Sequence, residues 1–237
     1  MTAVLNKLSP ILLDENLGAM FRQRENVVDP REWMDRRKIV VVNLQVGQLG
    51  AAPARFVGAL VVSVVFRSAL TRVDVPEQDR TPFYLYLDEC QDLQSGALEG
   101  ILSEARKYGL GAFFSHQSLK QLQPGLLEAM GNCATRLVFR PVDADLPHVQ
   151  RSLGGALTSG DLGSLGVGQA VISVGSRVAT VRTPSSLGPV LRDGRKFARD
   201  LVRRTYLRTC EARPEAPERT ARRREVAYDT FGTEETS

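Results

Sequence analysis

The sequence predicts an α/β fold: a mostly parallel sheet flanked by helices, continued by a C-terminal β-hairpin and a basic helix. Three observations carry that expectation. Short apolar runs rich in β-branched and aromatic residues recur along the chain, at Lys38–Leu44 (KIVVVNL), Phe83–Leu87 (FYLYL), Gly111–Phe114 and Arg136–Phe139. Continuous apolar runs of that length, lacking polar alternation, suit strands buried on both faces. Between them lie stretches with helical spacing, and strand–helix alternation is the pattern of a parallel sheet with crossover helices.

Taken in order, residues 1–37 read as a helical segment, with Leu5, Leu8, Ile11 and Leu12 on one face and a break at Pro10. Lys38–Leu44 reads as a buried parallel strand. Pro53 opens a helix, with Phe56, Leu60, Val61, Val64 and Val65 on neighbouring turns, that ends near Thr71. Arg72–Pro82 is polar, carries two prolines and reads as a surface connection. Phe83–Leu87 is the second strand. A helix follows over Gly96–Tyr108, with Leu98, Ile101, Leu102 and Ala105 inward and Gly109 as its left-handed stop. Leu119–Met130 reads as helical with an interruption at Pro124. Ala144–Leu153 reads as a short helix and Thr158–Leu165 as a loop or a turn of helix. Gln169–Val174 and Arg177–Arg182 alternate around Gly175-Ser176, which predicts a hairpin. A basic helix over Gly194–Arg208 and a Pro/Glu/Arg-rich tail close the chain. The expected division is therefore 1–37, 38–185 and 186–237.

Composition narrows the function classes. Hydrophobic residues make up 43% of the 237, enough for a core. The longest apolar stretch, Val57–Phe66, is half of the ~20 residues a membrane helix needs. The N-terminus carries no charged segment followed by an apolar core, so no signal peptide is expected. A cytoplasmic location follows, with the cytoplasmic face of the inner membrane as the second expectation. Three scattered cysteines and two histidines give neither a disulfide framework nor metal-ligand spacing. Net charge is +4, but Arg192–Glu225 holds twelve Lys/Arg against six Asp/Glu. Arg195, Lys196, Arg199, Arg203 and Arg204 there are candidate nucleic-acid contacts, with a solvated helix face as the equal alternative.

The residues that suggest chemistry begin at the end of the second strand. Asp88 and Glu89 follow Phe83–Leu87 directly, and a parallel strand presents its C-terminal end where open α/β folds bind ligands. Two carboxylates there suit a nucleotide hydrolase, the first holding Mg²⁺ and the second orienting and deprotonating water; a helix cap is the bland alternative. Gln117 stands at the tip of the next strand, where it can position an attacking water. Arg106, in Ser103–Gly109 (SEARKYG), either complements a helix terminus or serves a neighbouring subunit as an arginine finger. Asn132 and Arg140 flank the fourth strand and are candidates for the same site, or a cap and a solvated cation. The phosphate-binding pattern G-x-x-x-x-G-K-[ST] does not occur in the sequence. The chain is therefore expected to begin in mid-domain.

Tyr84–Gln91, Ile101–Gly109 (ILSEARKYG), Phe114–Leu122 (FSHQSLKQL) and Gly131–Arg140 (GNCATRLVFR) together resemble the FtsK–HerA superfamily, above all its TraG/TraD-like coupling proteins of conjugation and type IV secretion and its HerA-like helicases. Lys38–Gly50 and Leu157–Leu165 fit the same family. The resemblance implies a RecA-like fold, ATP and Mg²⁺ as cofactors, a homo-hexameric ring, DNA as the substrate, and type IV secretion or relaxosome proteins as partners. It implies Asp88 and Glu89 as the Walker B pair, Gln117 as sensor and Arg106 as the trans-acting arginine. Asp88, Gln117 and Arg140 would then face the nucleotide. With no Walker A lysine or loop, little ATP affinity is expected of these residues alone. A DExx-box helicase would follow its acids with a Ser-Ala-Thr type motif where this chain has Ser115-His116-Gln117. An AAA+ protein would prefer Asn as sensor. The alternative from another class is a non-catalytic pseudo-ATPase that assembles with a secretion motor.

Overall fold

The computed structural model describes Ser9 and residues 15–21, 26, 28–44 and 46–184. Helices α1 (Glu15–Phe21), α2 (Pro30–Asp35) and α3 (Val46–Leu49) lead into the long α4 (Ala51–Leu70). Strand β1 (Phe83–Leu87), helix α5 (Gly96–Glu104) and strand β2 (Leu110–Phe114) form one crossover unit, with β1 and β2 parallel and paired from Phe83↔Leu110 to Leu87↔Phe114. After α6 (Pro124–Ala129) the chain builds a second sheet, β3 (Thr135–Val138), β4 (Gln169–Val174) and β5 (Arg177–Arg182), antiparallel throughout in that order. Helices α7 (Leu146–Ser152) and α8 (Ser159–Gly163) lie between β3 and β4 in sequence.

Local chemistry explains most boundaries. Asp29 caps α2, its carboxylate accepting the Glu32 amide. Thr158 and Asp161 form a reciprocal capping box on α8. Pro124 stands at the first position of α6, where its missing N–H costs nothing. The predicted Gly96–Tyr108 helix is α-helical to Glu104 and tightens into a 3₁₀ turn over Ala105–Tyr108, ending on Gly109 at φ 71°. The hairpin turns on Gly175-Ser176 as expected, with Gly175 at φ 57°.

Two hydrophobic clusters hold these elements. The larger one joins Met34, Val62, Val65, Ala69, Leu87, Leu98, Ile101, Leu110 and Leu126, so α4 and α5 cover one face of β1–β2. The smaller one joins Val149, Leu153, Leu162, Leu165 and Val171 beneath the antiparallel sheet. Leu119 packs against both.

Three expectations need correction. Lys38–Leu44 is not a buried strand: it carries no strand assignment, Ile39 is 89% exposed and Val41 70%. An apolar β-branched run becomes a strand only when a neighbouring strand takes up its backbone groups, and among the described residues none does. Only its last residue, Leu44, packs on the larger cluster. The connection Arg72–Pro82 is not wholly at the surface either. Arg72 is 1% exposed, and its guanidinium donates to the carbonyls of Tyr108 and Thr81 at 2.9 and 2.7 Å and lies 3.4 Å from Asp35. Burial lowers its pKa against the pull of Asp35. Finally, α4 with the turn after it is long and apolar enough to cross a bilayer by length and composition, which the ten-residue run did not suggest. Its Ala54, Val57, Val62, Val65 and Ala69 are buried in the protein, and 33% of the apolar window is buried in all. The basic segment Gly194–Arg208, with Arg195, Lys196, Arg199, Arg203 and Arg204, lies outside the described residues, as do most of Leu5–Leu12.

Candidate active site

Parallel pairing places the ends of β1 and β2 side by side. With Leu87 opposite Phe114, the next residues, Asp88 and Ser115, meet at the same sheet edge. The Ser115 amide donates to Leu87 O at 2.9 Å and the Cys90 amide returns to Ser115 O at 2.9 Å, stitching the two exits together. The Ser115 hydroxyl donates to Asp88 Oδ1 and accepts the Glu89 amide at 3.2 Å. One hydroxyl thus orients the first carboxylate and the backbone of the second.

Glu89 bends the chain here. Its φ of 52° and ψ of 50° are left-handed, a conformation that costs a residue with a Cβ roughly 1–2 kcal/mol. The bend turns its side chain to the next loop. Gln117 Nε2 donates to Oε1 at 2.8 Å, and Gln91 Nε2 donates to Oε2. Both carboxylate oxygens are therefore held by neutral amides. Among the described residues no lysine or arginine forms an ion pair with Asp88 or Glu89. His116 sits half-buried beside this group, its pKa lowered by burial against the opposing pull of Asp145 and Glu89. The neighbouring Cys90 thiol is fully buried and pushed up to about 11, which makes it inert packing.

The structure therefore brings Asp88, Glu89 and Gln117 together. It sets Arg106 apart: that residue is exposed in the 3₁₀ turn preceding β2, at the opposite end of the strand pair. Five strand residues put about 16 Å between those ends. Arg140 is exposed after β3, in the other sheet, with no bond to the acids among the described residues. Asn132 lies exposed in the turn before β3. Sequence reasoning did not single out Ser115 or Gln91. Strand register would have found Ser115, since equal-length parallel strands align the residues that follow them. Gln91 depends on the left-handed bend at Glu89, which no residue type announced.

The donor set fits one side of a magnesium–nucleotide complex. Asp88 is exposed and keeps one oxygen free of protein partners, as suits a Mg²⁺ that retains most of its waters. No cluster of three or more His, Cys, Asp or Glu exists among the described residues, so a metal here would need ligands from water and phosphate. The phosphate-binding pattern G-x-x-x-x-G-K-[ST] does not occur in the sequence.

Residues 82–150 match the family model described as the TraM recognition site of TraD and TraG. No curated protein matches the sequence. Among solved structures, the chain resembles the bacterial conjugative coupling protein TrwB in its unbound form, at 18% identity and a TM-score of 0.57, covering 74% of this chain and 47% of that one. The same plasmid coupling protein in complex with ADP and Mg²⁺ gives 19% identity and a TM-score of 0.55 over equal shares. Its complex with the non-hydrolysable GTP analogue GDPNP gives the same values. The chain thus spans about half the length of the coupling-protein structures it matches. Residues 82–150 thus resemble the TraM recognition site of TraD and TraG, and the fold of the described residues is shared with the coupling protein TrwB.

Proposed function

We infer that the chain is part of an ATP-driven, DNA-translocating motor of conjugation or type IV secretion. The observation that carries this reading is the joint placement of Asp88, Glu89 and Gln117 at the C-terminal end of a parallel strand pair, with the Ser115 hydroxyl on the Asp88 carboxylate and the Glu89 amide, and Gln117 on the Glu89 carboxylate. Asp88 holds Mg²⁺ through water. Glu89 accepts the proton of the attacking water, and Gln117, already bonded to Glu89, positions that water. Arg106 cannot reach the acids of its own chain. Its place at the far end suits a residue acting on the next subunit of a homo-hexamer. Arg140 would meet the nucleotide, and the basic residues from Arg195 to Arg204 would meet DNA phosphates, with binding that falls steeply as salt rises. The motor works in the cytoplasm or at the cytoplasmic face of the inner membrane. The description of the matched family adds a relaxosome protein of the TraM kind as partner.

The second reading, a non-catalytic module that assembles with such a motor, is favoured by the absence of a phosphate-binding loop from these residues. One experiment separates them. ATP turnover is measured for the chain joined to, or co-expressed with, the polypeptide encoded immediately upstream. The motor reading expects turnover that Glu89→Gln lowers at least a hundredfold while nucleotide binding persists. No turnover, or turnover indifferent to Glu89→Gln, leaves the module.

A further inference from the structure

The turn that displays Arg106 is held by two arginines from the connection that precedes β1. A helix end leaves its last carbonyls without partners, and α5 with its 3₁₀ extension ends in such a turn. Here every carbonyl from Ala105 to Gly109 has a donor. The Gly109 amide donates to Ala105 O and Arg106 O. Arg80 Nη1 donates to Lys107 O, and Arg72 Nη1 donates to Tyr108 O at 2.9 Å. The Phe83 amide takes up Gly109 O at 2.9 Å.

The two donors are themselves fixed. Arg72 Nη2 donates to Thr81 O at 2.7 Å, and its Nε faces Asp35 Oδ1 at 3.4 Å. Asp35 also pairs with Arg31 at 2.6 Å, and Arg31 reaches Asp74 at 2.8 Å. Arg80 Nε donates to Arg72 O at 3.0 Å and to Val75 O at 2.8 Å, which ties one arginine to the backbone of the other. Its guanidinium lies 5.6 Å from the centre of the Tyr108 ring. Gly109 completes the fit, since a Cβ there would stand 3.0 Å from Arg72 Nη1 and 3.3 Å from Arg80 Cβ. Burying a guanidinium is costly, and an ordinary helix end at the surface is satisfied by water or a glycine cap. Arg106 itself is exposed and forms no ion pair among the described residues. The backbone of this turn is clamped while the side chain it carries is left free.

We propose that Arg72 and Arg80 are positioning residues for Arg106. By clamping the carbonyls of Tyr108 and Lys107 they fix the backbone from which the Arg106 guanidinium reaches phosphates held by a neighbouring subunit. The role rests on the functional reading above; the clamp does not. A cation that stabilises a transferring phosphoryl group works only at the right distance, and a displacement of about 1 Å can cost a hundredfold in rate. Both clamps need a planar fork. Arg72 spans Tyr108 O and Thr81 O, and Arg80 spans Lys107 O and the carbonyls of Arg72 and Val75. A lysine would keep the charge without the fork.

The test is ATP turnover of the full chain co-expressed with the polypeptide encoded immediately upstream, in the natural form, as Arg80→Met, as Arg106→Ala and with both changes. Arg80 is half-buried, and the urea midpoint from Trp33 fluorescence checks the fold of each variant. Arg106→Ala should lower kcat at least a hundredfold and Arg80→Met about tenfold, both with an unchanged KM for ATP. Added to Arg106→Ala, Arg80→Met should change kcat by no more than about twofold, because the placement of an absent side chain no longer matters. Arg80→Lys and Arg72→Lys, which keep the charge and lose the fork, should follow the same pattern. A tenfold loss that persists in the Arg106→Ala background overturns the proposal, since the clamp then acts on the fold or on another group. A kcat unchanged by Arg80→Met, Arg80→Lys and Arg72→Lys overturns it too. If Arg106→Ala leaves turnover intact while Glu89→Gln abolishes it, the positioning role falls and the motor reading stands. No turnover in any form sinks both.

Discussion

The antiparallel sheet turns Val138, Val171 and Val178 to a core of its own, and its other face carries Thr135, Arg177 and two aliphatic side chains, Leu137 and Val174, each 51% exposed. The parallel pair meets solvent with Tyr84, Tyr86 and Phe113. In the first sheet β4 and β5 are joined by two residues, while β3 joins β4 only after the two helices α7 and α8. The second pairs two parallel strands across a helical crossover, and it is the one whose strand ends hold the candidate site. The difference is in what is left uncovered: among the described residues the site-bearing pair exposes three aromatic rings on one face, the antiparallel sheet two aliphatic side chains.

The largest test of that contrast uses one substitution in each core. Leu98 and Leu162 are both 0% exposed, Leu98 in the larger cluster and Leu162 in the smaller. Replacing either by Ala removes the same methylenes, leaves a cavity and costs roughly 2–5 kcal/mol. Trp33, the single tryptophan, packs against the larger cluster and reports its unfolding by fluorescence. Because Leu119 packs against both clusters, Leu162→Ala should lower the Trp33 urea midpoint as Leu98→Ala does. A Trp33 transition left unmoved by Leu162→Ala would show two independent units.

A smaller test compares two left-handed residues. Gly175 takes φ 57° in the hairpin and Glu89 takes φ 52° in the site. Gly175→Ala places a Cβ where backbone sterics oppose it and should cost about 1 kcal/mol. Glu89→Gly relieves the same strain and, net of the extra freedom glycine gives the unfolded chain, should gain about 0.5 kcal/mol. Opposite signs would mean that conformational strain is retained at the site and avoided in the turn. Equal losses from both would mean that the bonds from Gln91 and Gln117 outweigh the strain. Urea midpoints of the two variants decide this.

What could be read from the sequence follows the same division. The hairpin was legible because Gly-Ser between alternating strands is a local signal. β1, β2 and the acids at β1's end were legible because buried strands are short apolar runs and their ends stand at the ligand edge. Lys38–Leu44 was misread by that same rule, since composition records the tendency to pair but not the presence of a partner. Arg72 looked like a surface residue among prolines and charges; its burial comes from two carbonyls, Tyr108 and Thr81, that only the folded chain brings to it. In the site, Asp88, Glu89 and Gln117 were legible by position. Ser115 and Gln91 were not, because they act on the acids through register and a left-handed bend. Arg106 was legible as a cation after a helix, but its distance from the acids appears only once both strand ends are set.

The smallest expected effect is a pH slope that belongs to the parallel half alone. His116 follows β2, half-buried, and its Nδ1 is buried without a hydrogen-bond partner. Burial opposes the imidazolium there more strongly than Asp145 and Glu89 favour it, so the folded pKa lies below the usual value of 6.5. A depressed histidine pKa means that the unfolded chain takes up its proton first as the pH falls. Its stabilising contribution is therefore intact above about 6.5 and is lost as the pH drops through the folded value. Urea unfolding at pH 7.5 and 5.5 should show a greater loss for the natural chain than for His116→Gln, which cannot take up that proton. The loss should register in the Trp33 signal, because the histidine leaves the strand pair on which that cluster packs. An identical pH dependence in both proteins would mean that the acids beside His116, not its burial, set its charge.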